Sequence, residues 1–364
     1  MGASTVSAYA QLQVQARVQY SRLLTPQRLQ ELMQVENFAA LLSSLLDTAY
    51  APYLEKVDRS LLTPRRVVYQ LRCRLAASYE KLIKFTPDPG HQLLMQLWSL
   101  YEVDNLKATL RGIEHQSSWE QVLYLLSPGE KYWTVTFDKL QDMMRSDDIA
   151  TALEVLRGTL YYEPLAHALN RYQDEESLFP LEAALDLDYY RELWKSMQQL
   201  TGNDRQQALR LIGPVIDKDN LLGAIRYRIY HRMSTQEIIN YTLPFGYRVQ
   251  DAHIRAIAAG EDIGAVVRGI YPRLLLAAVD FEAAPGLALR ALEVELNRQI
   301  VRRCRIVFRG APFHIGLPVA YLLLHEHEIE NLTALIEAKD SRLPLEMIKS
   351  VVDFMPLDSQ LERS

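Results

Sequence analysis

Cysteine is almost absent from this 364-residue chain, which has only Cys73 and Cys304. Two thiols are too few for a disulfide framework or a cysteine zinc site, and both read as half-buried free thiols of a reducing compartment. Long apolar runs are missing too. The richest stretches, 274–289 and 315–324, are interrupted by Asp280 and Glu282 or are too short, since a membrane span needs about twenty apolar residues. The N-terminus has no basic segment followed by an apolar core, so no secretory signal is read there. Positive charge is not in excess. The formal net charge of −5 argues against a protein that coats nucleic acid, and no nucleic-acid partner is expected. None of the 15 glycines falls in a phosphate-binding loop, no G-x-S-x-G elbow occurs, and neither Cys has an informative His neighbour. No catalytic residue, cofactor, metal or small-molecule substrate is therefore expected.

What is present favours helix. Leu, Ala, Arg, Glu and Gln dominate, and 49% hydrophobic with 23% charged residues is the balance of an ordinary globular protein. Tyr9, Leu12, Ala16, Tyr20 and Leu23 form one apolar stripe at three- and four-residue spacing. Thr25-Pro26 and Thr63-Pro64 each read as an N-cap with proline in the first turn. The one stretch with extended character is 132–137, where Thr134, Val135 and Thr136 are β-branched. The fold class expected is all-α.

The chain also says nearly the same thing three times. Glu102-Val-Asp-Asn105-Leu106 is echoed by Asp217-Lys-Asp-Asn220-Leu221 and by Glu328-Ile-Glu-Asn331-Leu332. The Asn intervals are 220 − 105 = 115 and 331 − 220 = 111, far longer than a solenoid unit and the size of a small helical domain. Six residues after each Asn stands Arg111, Arg226 or Glu337. A helix start follows, read as capping boxes at Ser117–Glu120 and Ser234–Glu237 and as Pro344 in a first turn. Prolines 128, 244 and 356 then stop these helices. Upstream, Glu182 and Glu293 each stand 38 residues before their Asn, where the first copy has Val67. Aromatic-proline pairs recur at Tyr50–Pro52, Tyr162–Pro164 and Tyr271–Pro272. Three similar helical repeats are expected, at 1–130, 131–246 and 247–364, packed without flexible linkers. Asn105, Asn220 and Asn331 are read as a structural element that fixes a helix start or an inter-helix contact.

Two clusters invite a functional reading. His325-Glu-His327-Glu resembles a zinc-binding helix, but its histidines are two apart and so point to divergent faces. It is read as a polar helix end. Arg298, Arg302, Arg305 and Arg309 fall four, three and four apart, with Arg303 beside them. That single basic stripe suits a partner interface as well as it suits a solvated face. Arg65, Arg66, Arg72 and Arg74 form a looser cluster with the same ambiguity.

The opening Tyr9…Ala16-Arg-Val…Ser21-Arg-Leu-Leu24, the element Tyr101-Glu-Val-Asp-Asn-Leu-Lys107…Leu110-Arg111, and Leu343-Pro-Leu-Glu-Met-Ile348 together resemble the C subunit of V/A-type ATPases, whose equivalent in eukaryotic vacuolar enzymes is the d subunit. The resemblance runs nearly end to end. It implies a funnel-shaped, all-helical protein of three domains around a pseudo-threefold axis. It also implies a cytoplasmic, peripheral seat on the membrane proteolipid rotor ring, with a central cavity that receives the central-stalk shaft subunits. A protein of this kind is not itself an enzyme. It couples ATP hydrolysis or synthesis to proton or sodium transport and meets the membrane only through the complex. The alternatives are a helical scaffold or adaptor of an unrelated complex, or an all-α enzyme built on His325-Glu326-His327.

Overall fold

The structure is a computed structural model that describes residues 3–274 and 280–352. Among these residues it is helical, with no strand. Seven long helices are labelled in chain order: α1 (Ala3–Tyr20), α2 (Pro64–Phe85), α3 (Gly90–Glu114), α4 (Phe179–Gln199), α5 (Gly202–Ile229), α6 (Pro285–Val307) and α7 (Gly316–Asp340). Shorter helices and turns connect them.

Local chemistry explains the boundaries. Thr25 and Thr63 cap their helices as expected, their hydroxyls accepting from the amides of Arg28 (3.1 Å) and Arg66 (3.4 Å). Each is followed by a proline whose missing donor costs nothing in the first turn. Tyr9, Leu12 and Ala16 are buried along α1, but the helix ends at Tyr20, so Leu23 lies in the turn beyond. The Ser234–Glu237 capping box is present. Its counterpart is displaced by one residue: Ser118 caps Trp119–Leu123 and Gln121 closes the box, while Ser117 takes no part. Pro344 is the cap residue before Leu345–Val351 instead of lying inside the first turn. Pro356 and residues 275–279 of the apolar stretch 274–289 lie outside the described residues.

Contacts divide the chain into two compact units. Unit 1 comprises residues 1–182 and 321–364, and unit 2 residues 183–320. In unit 1 the core includes Leu71, Leu75, Tyr79, Leu82 and Ile83 of α2, with Leu93, Leu94, Trp98, Leu106 and Leu110 of α3. These positions recur at three- and four-residue steps, so each helix buries one face. Trp98 stacks on Trp133 at 5.1 Å between centroids. In unit 2, α5 and α6 pack together around Leu221, Ile225, Leu292 and Leu296.

Pro214 sits inside α5. It has no amide to offer the carbonyl of Arg210 four residues earlier, which would leave that acceptor orphaned. The guanidinium of Arg303 on α6 donates to this oxygen instead, at 3.2 Å.

Candidate functional site

All three acidic-Asn-Leu elements lie within long helices, α3, α5 and α7, and not at helix starts. Each carboxylate is buried and grips backbone from elsewhere in its unit. Glu102 accepts from the amides of Thr134 (2.7 Å) and Val135 (2.6 Å) and from the hydroxyl of Tyr161 (2.8 Å). Asp217 accepts from the amides of Tyr247 (2.7 Å), Arg248 (2.7 Å) and Val249 (3.2 Å) and the hydroxyl of Tyr271 (3.4 Å). Glu328 accepts from the amide of Leu24 (2.5 Å) and the hydroxyl of Tyr50 (2.7 Å). The recipe is similar each time: one carboxylate, one to three loop amides and one tyrosine. Burial raises all three carboxyl pKa values, and the converging donors pull them back.

The aromatic-proline repeats therefore have a purpose, though in the second the ligand is Tyr161 and not its neighbour Tyr162. The β-branched stretch 132–137 also becomes intelligible. Its amides at Thr134 and Val135 pair with Glu102 in place of a neighbouring strand.

The asparagines do a related job. The Asn105 side-chain amide accepts from the amide of Ser127 (2.6 Å) and donates to the carbonyl of the same residue (2.9 Å). Asn220 does the same with Leu243, at 2.8 and 3.0 Å. A carboxamide is a peptide group on a short arm, so it pairs both ways with one residue's backbone. Ser127 and Leu243 each directly precede a proline, which disfavours helix there, and neither lies in a helix. Asn331 donates to the carbonyl of His327 at 2.8 Å. Met355, which precedes Pro356, lies outside the described residues.

Around Glu328 the cluster carries an additional charge. Arg74, only 4% exposed, donates to Glu328 (3.3 Å) and to the carbonyl of Arg22 (3.1 Å), and lies over the Tyr50 ring at 4.5 Å. Its remaining contact is His325, whose Nε2 lies 2.9 Å from the guanidinium. Arginine has only donors, so Nε2 accepts and the proton sits on Nδ1. Nδ1 then donates to the Tyr321 hydroxyl (3.1 Å), which donates to Ser78 (2.8 Å), which donates to the carbonyl of Arg74 (3.0 Å). The ring of hydrogen bonds closes. Burial, then the Arg74 charge, holds the His325 pKa well below its ordinary value of 6.5.

Beside this cluster unit 1 contains a cavity of about 1000 Å³. Its charged lining is balanced, with Arg65, Arg72, Lys107 and Arg111 facing Asp104, Glu326, Glu330 and Glu337.

A sequence profile of the ATP synthase (C/AC39) subunit family matches residues 12–351. The chain belongs to that family. Among curated relatives, the A-type ATP synthase C subunit of Methanocaldococcus jannaschii is 24% identical over 351 residues, covering 95% of this chain and 86% of the relative. Those of Methanothermobacter thermautotrophicus and Archaeoglobus fulgidus are each 26% identical, covering 95% and 94% of this chain and 87% and 95% of theirs.

In this C/AC39 family chain the His325-Glu326-His327 run is not a polar helix end. It lies mid-way along α7, with His325 fully buried in the ring just described and His327 turned to Asn331 at 3.0 Å. Among the described residues no group of three or more His, Cys, Asp or Glu is placed to hold a metal ion. No described helix is long and apolar enough to cross a membrane. Cys304 is buried and Cys73 half-buried, and burial raises the Cys73 pKa to about 11.

The four arginines of the basic stripe separate. Arg298, Arg302 and Arg305 lie along α6, while Arg309 falls just past its end. Arg298, Arg302 and Arg309 are exposed and Arg305 is half-buried. Arg303, a quarter-turn round, faces α5 through its bond to Arg210. Among Arg65, Arg66, Arg72 and Arg74 the difference is greater still, because Arg74 is the buried charge at the heart of unit 1. Its partners lie about 250 residues away in sequence, so local spacing carries no trace of its role.

Proposed function

We propose that this chain is the non-catalytic central-stalk socket of a rotary V/A-type ATPase. In this reading it joins the rotating shaft to the membrane proteolipid ring. It thereby links ATP hydrolysis or synthesis to proton or sodium transport. It sits peripherally on the cytoplasmic side and meets the membrane only through the complex.

The observation that carries the reading is the family match over residues 12–351, with relatives that are C subunits of A-type ATP synthases. The geometry supports it. A torque coupler must not yield under load, and close-packed helices whose loops are tied to buried carboxylates have little slack. The matched grips of Glu102, Asp217 and Glu328 favour three like repeats, at 1–130, 131–246 and 247–364, around a pseudo-threefold axis in a funnel. The balanced cavity in unit 1 suits a peptide surface bearing both charges. A helix 10 Å across fills about 120 Å³ per residue, so the cavity takes roughly eight residues, or about two turns. The exposed arginines 298, 302 and 309, with the half-buried Arg305, are proposed as part of a partner interface.

Native mass spectrometry of the full chain mixed with candidate central-stalk subunits tests the reading. A discrete complex containing one copy of this chain is expected, and T333C in the cavity wall should crosslink to the shaft. Stalk subunits that pair with each other and leave this chain alone would favour a scaffold of an unrelated complex.

A further inference from the structure

Unit 2 has a smaller recess of about 390 Å³, lined by Gln206, Leu209, Arg210, Tyr247 and Arg303. Unlike the balanced cavity of unit 1, it has two guanidinium groups and no acid among its lining residues. From this charge and its geometry we infer that the recess is an oxyanion site for a phosphate-bearing ligand.

Gln206, Arg210 and Tyr247 are exposed, and the half-buried Arg303 anchors the wall. Arg303 is fixed at two points: it donates to the carbonyl that Pro214 leaves free, and it lies over the Tyr247 ring at 5.5 Å. Tyr247 is pinned in turn. Its amide donates to the buried Asp217, and its ring rests against Gly213 on α5, where an added Cβ would come within 2.8 Å of it. A guanidinium has five donors, and the carbonyl of Arg210 takes only one of those on Arg303. Arg210, on α5, lines the same recess. Gln206, one turn earlier, adds an amide that can donate.

Two guanidinium groups and an amide converging on one recess distinguish between anions. A carboxylate is satisfied by a single arginine fork, whereas a phosphate has oxygens enough for both forks at once. The stretch of chain is also particular to this place. Arg210 stands ten residues before Asn220, where Met95 and Tyr321 precede Asn105 and Asn331. Arg303 stands 28 before Asn331, where Ala77 and Glu192 precede the other two. Pro214 accounts for Arg303, and Arg210 is an exposed residue of α5.

The phosphate has two possible sources, a free phosphate or an anionic lipid headgroup, and one set of experiments separates them. Inorganic phosphate and pyrophosphate are titrated into the full chain and followed by phosphorus NMR. The chain is also floated with phosphatidylcholine vesicles, with and without phosphatidylglycerol. Saturable binding of pyrophosphate, weakened about tenfold in Arg210→Gln, the loss expected when one charge-assisted contact is removed, supports the site with a soluble ligand. Flotation that requires phosphatidylglycerol and is lost in Arg210→Gln supports it with a lipid headgroup. Arg303→Lys keeps a donor for the Arg210 carbonyl but loses the fork. It should weaken either ligand severalfold while melting at the wild-type temperature. Binding of neither probe overturns the inference. So does an equal loss in the Arg302→Gln/Arg309→Gln control, which would mean that diffuse surface charge and not the recess attracts the anion.

Discussion

Arg111 and Glu182 meet through two parallel hydrogen bonds, at 2.6 and 2.9 Å, and they occupy positions that the sequence repeats. Arg226 and Glu293, the corresponding residues one repeat later, pair at 4.0 Å. The third combination would join position 337 to position 67, and there both residues differ: Glu337 replaces the arginine and Val67 the glutamate. The two departures therefore fall at the two positions that pair in the other copies. Val67 is buried, and Glu337 is exposed in the cavity wall beside Arg72.

The pair is half open to solvent, with the Arg111 side chain 55% exposed, so it contributes little. Arg111→Glu should lower stability by about 0.2–1 kcal/mol. The double reversal Arg111→Glu/Glu182→Arg should recover most of that in urea unfolding. No coupling between the two substitutions would remove the pair as an element of the repeat.

The buried carboxylates should matter far more. Asp217→Ala leaves the amides of Tyr247, Arg248 and Val249 without their acceptor, a loss of about 3–5 kcal/mol. Asp217→Asn keeps one oxygen and should lose about half as much. Equal losses in the two variants, measured by denaturant unfolding, would contradict the grip.

The asparagines are sensitive to a change of one atom. Asn105→Asp and Asn220→Asp preserve shape but turn the donor toward Ser127 or Leu243 into an acceptor facing a carbonyl. Each should cost about 2–4 kcal/mol, since a buried carboxylate oxygen then faces a carbonyl with no donor between them. Variants as stable as wild type would show that the two-way pairing is dispensable.

Acidification should weaken unit 1 through His325. Its folded pKa is depressed by burial and by Arg74, so the unfolded chain takes up the proton more readily. The contribution is therefore complete above about pH 6.5, the ordinary histidine value, and is lost as pH falls below it. His325→Gln retains an acceptor for Arg74 and a donor for Tyr321 without titrating. Between pH 7.5 and 5.5 its melting temperature should fall less than that of wild type, and parallel falls would rule His325 out.

Much of this architecture was legible in the sequence because the chain repeats itself. The Asn-to-proline spacing became a bond between Asn105 and the residue before Pro128. The acidic position three residues before each Asn became the loop grip. Arg74 stayed hidden because a buried arginine and a surface one look alike until the partner is known, and His325 and Glu328 lie in a distant segment. The capping box shifted from Ser117 to Ser118 because either serine satisfies the local pattern. Only the glutamine side chain, which reaches back to the Ser118 amide, selects between them.

The bonds from Leu24, Tyr50 and Arg74 to Glu328 also impose an order in time. The guanidinium of Arg74 leaves the ribosome 254 residues before the carboxylate that neutralises it. At roughly 5–20 residues per second this is a wait of about 13–50 s. During that interval the first half of the protein holds a charge in its future core with no counter-ion. Unit 1 closes only when α7 arrives, so its assembly is a late, long-range event that exposes the nascent N-terminal helices to chaperones.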